Sequence, residues 1–153
     1  MNTLMLIDGN SLMNRAHFGL SGRVRLTSPE GVPTAAIMTF LNMVLQYMRQ
    51  YEPTHLIVAF DRPEPTFRHL KYADYKGKRA PMPDDLVIQM HWIKRILDDW
   101  GTARAELAGY EADDLIGTYA RLAEDAGMHV FIVTGDKDCF QLISDRTHVI
   151  LPV

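Results

Sequence analysis

Short apolar runs alternate along the chain with stretches whose apolar positions recur every three or four residues, the pattern of buried strands alternating with amphipathic helices. Leu4–Ile7 is the first run and ends in Asp8-Gly9-Asn10, which reads as a strand followed by a turn. Ser11–Phe18 predicts a short helix, and Ser28-Pro29-Glu30-Gly31-Val32-Pro33 a loop. Thr34 stands in the N-cap position of a strong helical pattern that reaches Gln50 and sets Ile37, Phe40, Leu41, Val44, Leu45 and Met48 on one face. His55–Phe60 predicts a second buried strand, ending in Asp61. A helix from Asp84 or Asp85 to Trp100 turns Leu86, Met90, Ile93, Ile96 and Leu97 inward. Ala103–Leu107 predicts a short strand, Ala112–Ala126 a helix with Gly127 at its C-terminal cap, and Val130–Thr134 and Val149–Leu151 the last strands. Met5, Phe40 and Trp92 are assigned to the core. Strands alternating with helices predict an α/β fold: a three-layer α/β/α arrangement with a mostly parallel central sheet covered on both faces.

One segment breaks the alternation. Arg62–Met82 contains Pro63, Pro65 and Pro81 and shows no period, so a long loop or arch is expected there, of the kind that usually carries function. It holds six basic residues (Arg62, Arg68, Lys71, Lys76, Lys78, Arg79) against Glu64 and Asp74, a net +4 inside a chain of net −3. A basic segment on an otherwise acidic protein predicts two tasks on one surface. Within it cations interleave with Tyr72 and Tyr75. Lysine and arginine neutralise phosphates, and tyrosine rings stack on exposed bases.

Composition adds bounds. A chain of 153 residues, 47% hydrophobic and 23% charged, is expected to be one soluble globular domain. The lone Cys139 cannot form an internal disulfide, which places the protein in the cytoplasm. The N-terminal apolar run is too short for a signal peptide. No run approaches the roughly 20 residues of a membrane span, so no membrane partner is expected.

The candidate chemistry lies in the acids. Three predicted strands run into Asp8, Asp61 and Asp136, and Asp138 follows two residues on. In an open α/β sheet, ligands bind outside the carboxyl ends of the strands. Glu111, Asp113 and Asp114 stand at a predicted helix start. Taken singly, each acid could be a turn residue or a helix cap. Taken together, they are costly without a cation, since two carboxylates about 5 Å apart repel by about 3 kcal/mol at an effective dielectric near 20. Oxygen-only ligands select Mg²⁺, Mn²⁺ or Ca²⁺ over Zn²⁺, and none of the six histidines stands at these strand ends. Such a cluster suits phosphoryl chemistry, in which paired ions about 4 Å apart activate a water and steady the leaving oxygen.

At this point the chain resembles a known family: the 5′-nuclease domains of bacterial DNA polymerase I, phage 5′-exonucleases and flap endonucleases, which share a PIN-like fold. The resemblance rests on Leu6-Ile7-Asp8-Gly9, Ala59-Phe60-Asp61 with Phe67-Arg68, Tyr75-Lys76-Gly77-Lys78-Arg79-Ala80-Pro81-Met82-Pro83, Gly109-Tyr110-Glu111-Ala112-Asp113-Asp114 and Thr134-Gly135-Asp136-Lys137-Asp138. It implies a Mg²⁺- or Mn²⁺-dependent 5′→3′ exonuclease and flap endonuclease acting on DNA with a 5′ single-stranded flap in replication or repair, with two ions in the complete enzyme. It further implies that Asp8, Asp61, Glu111 and Asp113 build the first metal site, with Asp114 in support. Asp136 and Asp138 begin the second. Lys76 and Arg79 meet the scissile phosphate, Tyr75 stacks on a base, and Arg68 and Arg15 contact phosphates.

In the family a further aspartate pair and a helical hairpin that grips duplex DNA follow. The chain stops at Val153 before either, so the resemblance implies a single metal-binding domain over residues 1–153 whose second ion site is completed elsewhere, in a missing C-terminal segment or a partner chain. Two other readings fit the acids: a single-domain PIN-type ribonuclease, and a non-catalytic nucleic-acid-binding half of a split nuclease.

Overall fold

The computed structural model describes residues 1–19, 26–62 and 81–152. Residues 63–80 of the expected arch, with the candidates Arg68, Tyr75, Lys76 and Arg79, lie outside the described residues. Five strands form one sheet: β1 (Thr3–Asp8), β2 (His55–Ala59), β3 (Ala103–Ala105), β4 (His129–Val133) and β5 (Thr147–Ile150), in the order β3-β2-β1-β4-β5. Every pairing is parallel, so all five strands end on the same edge. Four helices accompany them among the described residues: α1 (Gly9–Gly19), α2 (Ala35–Tyr51), α3 (Asp84–Asp99) and α4 (Ala112–Asp125). A 3-10 turn of helix covers Lys137–Leu142. None of these helices is long and apolar enough to cross a membrane.

The central strand shows why the sheet needs cover on both sides. Side chains alternate faces along a strand. Met5 and Ile7 pack into one core cluster with Leu12, Phe40, Leu86 and Ile93 from α1, α2 and α3. Leu4 and Leu6 pack into a second cluster with Ile116, Ala120 and Ala123 of α4. β4 divides its side chains in the same way, Val133 to the first cluster and Val130 and Ile132 to the second. The three-layer expectation therefore holds. The unequal covering, three described helices on one face and α4 on the other, leaves α4 as the element that closes the second core.

Helix boundaries follow local chemistry with one exception. α4 ends at Ala126, followed by Gly127 at φ +81°, the left-handed conformation that glycine adopts without a Cβ penalty. Thr34 does occupy the N-cap position of α2, but its side chain caps nothing. Instead Gln89, 2% exposed on α3, accepts the backbone N–H groups of Ala36 at 2.9 Å and Ile37 at 3.2 Å through Oε1. The orphan donors of a helix start are satisfied here by a side chain more than fifty residues away.

Some expected core positions turn outward. Leu45 and Met48 are each 37% exposed, while Tyr47 is buried. Each of the two lies one residue past an inward position, about 100° around the helix. Trp92 is 36% exposed rather than core, beside the buried Ile93, with the Arg95 guanidinium 5.5 Å from its ring centroid. Ile96 packs against the core only partly buried. β3 stops at Ala105, and Leu107 is 52% exposed.

Replacing Gln89 by Ala leaves two buried N–H donors without a partner, so unfolding stability should fall by about 1–3 kcal/mol. Thr34→Ala should change it by less than about 0.5 kcal/mol. Urea unfolding of the two variants checks the contrast, and a larger loss in Thr34→Ala than in Gln89→Ala would show that Thr34, not Gln89, is the working cap.

Candidate metal centre

The carboxyl ends of β2, β1 and β4 stand side by side in the sheet, and each runs into an acid. Asp8 closes β1, Asp61 follows β2 by two residues, and Asp136 and Asp138 follow β4. Helix α4 starts at the same edge. The Ala112 N–H donates to Asp61 Oδ1 at 2.6 Å, which brings Glu111 and Asp113 to the strand ends. Asp114 faces back into its own helix start, where Oδ2 accepts the Glu111 N–H at 2.9 Å in a capping box.

The loops are stitched together by residues that carry no charge. Ser11 N–H donates to Asp8 Oδ1 at 3.1 Å, and the Thr134 hydroxyl donates to Asp8 Oδ2 at 2.9 Å. Asn10 Oδ1 accepts the Asp61 N–H at 2.8 Å. Ser11 Oγ accepts the Gly135 N–H at 2.8 Å, and Thr134 Oγ1 accepts the Asp136 N–H at 3.0 Å. Asp136 Oδ1 accepts the Asp138 N–H at 2.9 Å. The first turn of α1 thus holds the loop after β2 through Asn10 and the loop after β4 through Ser11.

Burial and the charges of neighbouring acids set the electrostatics of the cluster. Asp8 and Glu111 are 6% and 3% exposed. Burial pushes the Asp8 carboxyl from its ordinary 3.8 up to about 6; the Ser11 and Thr134 hydrogen bonds oppose the rise, and the charges of Asp61 and Asp113 add to it. Burial also raises Asp113, with the charges of Glu111, Asp136 and Asp61 pushing the same way. The buried Cys139 thiol is pushed up to about 12, by burial first and then by Asp113, Asp8, Asp136 and Asp138. One carboxylate oxygen from each of Asp113, Asp136 and Asp138 lies within 4.8 Å of the others. The all-oxygen donor set of Asp113, Asp136 and Asp138 fits a hard divalent cation.

Asp8, Asp61, Glu111, Asp113, Asp136 and Asp138 therefore share one edge. The family resemblance implies a first set through Asp113 and a second from Asp136. Among the described residues, Asp113, Asp136 and Asp138 each bring one oxygen within reach of a common ion. Arg15 lies on the exposed side of α1, lining a groove with Asn14, Phe18, Thr39 and Met43. Sequence reasoning missed Asn10, Ser11 and Thr134. Asn10 stands in the predicted turn after Asp8, Ser11 at the start of the predicted helix and Thr134 at the end of a predicted strand, and nothing about a small polar residue in these places marks it as a partner of a loop over fifty or a hundred residues away.

Comparison with known proteins gives the setting. The family described as "5'-3' exonuclease, N-terminal resolvase-like domain" matches residues 3–152. The chain is 44% identical over 146 residues to DNA polymerase I of Bacillus subtilis, a match covering 95% of this chain and 16% of that protein; it spans only that small share of such a relative's length. Among solved structures, the T5 5′-exonuclease with divalent zinc ions bound superposes with a TM-score of 0.75 at 22% identity, covering 98% of this chain and 55% of that one. A bacteriophage T5 D15 flap endonuclease complex with DNA and metal ions gives 0.73 at 20% identity, covering 98% and 55%. Both share the fold.

Asp8 holds its proton more tightly folded than unfolded, so its contribution lowers the stability of the ion-free protein as pH rises from about 4 to 6, by about 3 kcal/mol at full ionisation. Asp8→Asn removes that dependence. In chelator, the variant should match the wild type near pH 4 and exceed it at pH 7.5, and added Mn²⁺ should raise the melting temperature of the wild type more than that of the variant. Thermal melts at both pH values read this, and a wild type more stable than the variant at pH 7.5 without metal would refute it.

Proposed function

The chain belongs to the 5′-3′ exonuclease N-terminal resolvase-like domain family, and from that membership we propose that it is the metal-binding catalytic domain of a 5′-nuclease that hydrolyses DNA phosphodiesters at 5′ ends and flaps. The observation that carries this reading is the meeting of acids from three strand ends and one helix start, with Asp113, Asp136 and Asp138 in mutual reach. Mg²⁺ or Mn²⁺ is the cation, and the complete enzyme uses two. When bound, such an ion supplies Lewis-acid stabilisation of the charge that grows on a phosphodiester in hydrolysis.

The chain's own groups divide the remaining work. Asp8, Asp61, Glu111 and Asp113 hold and orient one centre, and Asp136 and Asp138 contribute to the next. Hydrogen bonds from backbone N–H groups and from Thr134 keep these acids aimed before substrate arrives. An acidic edge repels a phosphate backbone, so the cations of the segment after Asp61 are the complement that substrate binding needs. Lys76 and Arg79 meet the scissile phosphate, Tyr75 stacks on the neighbouring base, and Arg68 and Arg15 take flanking phosphates. DNA is the partner in this reading, as it is for the T5 flap endonuclease.

The test places this chain in the matching segment of the Bacillus subtilis relative and measures single-turnover cleavage of a 5′-flap DNA with Mn²⁺ and with chelator. Metal-dependent release of the flap is expected. Asp113→Asn in the grafted chain should slow it by roughly a hundredfold or more, the scale of losing one preorganised electrostatic contact. A folded chimera without metal-dependent cleavage would refute the catalytic reading, and faster cleavage of single-stranded RNA than of the flap would refute the DNA assignment.

A further inference from the structure

We propose that Glu106 is a positioning residue for Asp61, acting by gripping the chain on both sides of that carboxylate; the proposal rests on the metal-centre reading above. Glu106 is the residue after β3, and its side chain is only 15% exposed. Its Oε2 lies 3.1 Å from Lys94 Nζ and 3.8 Å from Arg62 Nη1. Its Oε1 pairs with Arg104 Nη1. Arg104 is itself clamped by Asp98, Nε to Oδ1 at 3.0 Å and Nη2 to Oδ2 at 2.9 Å. Three cations from β2's exit, α3 and β3 thus converge on one carboxylate.

Two of those cations act directly on the residues that flank Asp61. Arg62 follows it in the chain. Lys94 lies over the ring of Phe60, which precedes it, 5.2 Å from the centroid. The same ring leaves no room at Gly9, where a Cβ would come within 2.4 Å of it, and the Phe60 N–H donates to Ala105 O at 2.9 Å. Phe60 and Arg62 are therefore both anchored through β3 and Glu106, and Asp61 is carried between two fixed neighbours.

Isolated surface ion pairs contribute little, but a half-dry carboxylate shared by several cations behaves as a network. Its removal does more than loosen the loop. Arg62 and Lys94 then lose their shared counter-charge, and Arg62, the next residue to Asp61 in the chain, becomes a competitor of a divalent ion for that carboxylate. Glu106 in this account keeps Arg62 off the Asp61 carboxylate while holding Asp61 in line.

A double-mutant cycle on Mn²⁺ affinity tests it, with Mn²⁺ itself as the probe, titrated into metal-free protein and read by calorimetry. Glu106→Gln should weaken binding roughly tenfold, the lower end of the loss of an outer-shell partner. In an Asp61→Asn background the same substitution should change the affinity less than twofold, because the group it positions is gone. Arg62→Gln, which releases the grip from the other side, should give a smaller loss that also vanishes in the Asp61→Asn background, and it serves where Glu106→Gln does not fold. Equal losses in both backgrounds would assign Glu106 a general structural role and overturn the proposal, as would unchanged affinity after Glu106→Gln. A wild type that binds no Mn²⁺ would overturn the metal centre and this proposal together. Cleavage assays do not enter the comparison, so failure of the nuclease reading alone leaves the cycle interpretable.

Discussion

Mutual repulsion among carboxylates is the constraint around which this fold is arranged. Six acids share the edge where β2, β1 and β4 end, and Asp8 and Glu111 are nearly excluded from water. Left to themselves such groups would splay apart or hold protons, and part of that cost stands in the raised Asp8 and Asp113 carboxyls, where burial acts first and the charges of neighbouring acids add to it. The rest is offset by N–H donors. Ser11 at the start of α1, Ala112 at the start of α4 and Asp138 at the start of the 3-10 turn each give a backbone N–H to an acid. Helix starts present orphan N–H groups and the positive end of the helix dipole. Parallel topology is what makes this possible, because each strand of the sheet ends where the next helix begins.

The same arrangement ties core to site through α4. Its first turn carries Glu111 and Asp113, and its body supplies Ile116, Ala120 and Ala123, the apolar cover of the second sheet face. The small alanines let the helix approach β1 and β4 closely, and that approach is what brings Ala112 within reach of Asp61. A larger residue at Ala120 would therefore be felt twice, as overpacking beneath the helix and as displacement of the acids at its head.

The strands, the helices and the acids were legible because each leaves a local signature. A short apolar run that stops at an aspartate reads as a strand end whatever the tertiary context, and Glu111-Ala112-Asp113-Asp114 reads as a helix start. What was not legible depends on contacts distant along the chain. Gln89 caps α2 across fifty residues, and Thr34, which looks like the cap, does not serve. Trp92 shares a helix with core residues and was placed among them, but one residue of rotation turns it outward and sets Arg95 over its ring. Pairing Asp113 with Asp136 and Asp138 needs the relative placement of α4 and β4, which no spacing in the sequence encodes.

The functional consequence concerns rigidity. A site whose acids were held only by an incoming cation would have to order several loops at the moment of binding, and the conformational entropy would be subtracted from the affinity. Here Asn10 and Ser11 fasten two loops to the first turn of α1, Thr134 fastens a third contact to Asp8, and Glu106 fixes the exit of β2. These are neutral hydrogen bonds and one peripheral ion network, so they add no further negative charge to a cluster that already has too much. The two tasks are largely divided: Asp8 and Glu111, which face the cation site, are acidic and desolvated, while Asn10, Ser11 and Thr134, which hold the loops, are neutral. A fold that mixed the two tasks, using lysines or arginines to steady the acids directly, would fill the cation's place with its own side chains.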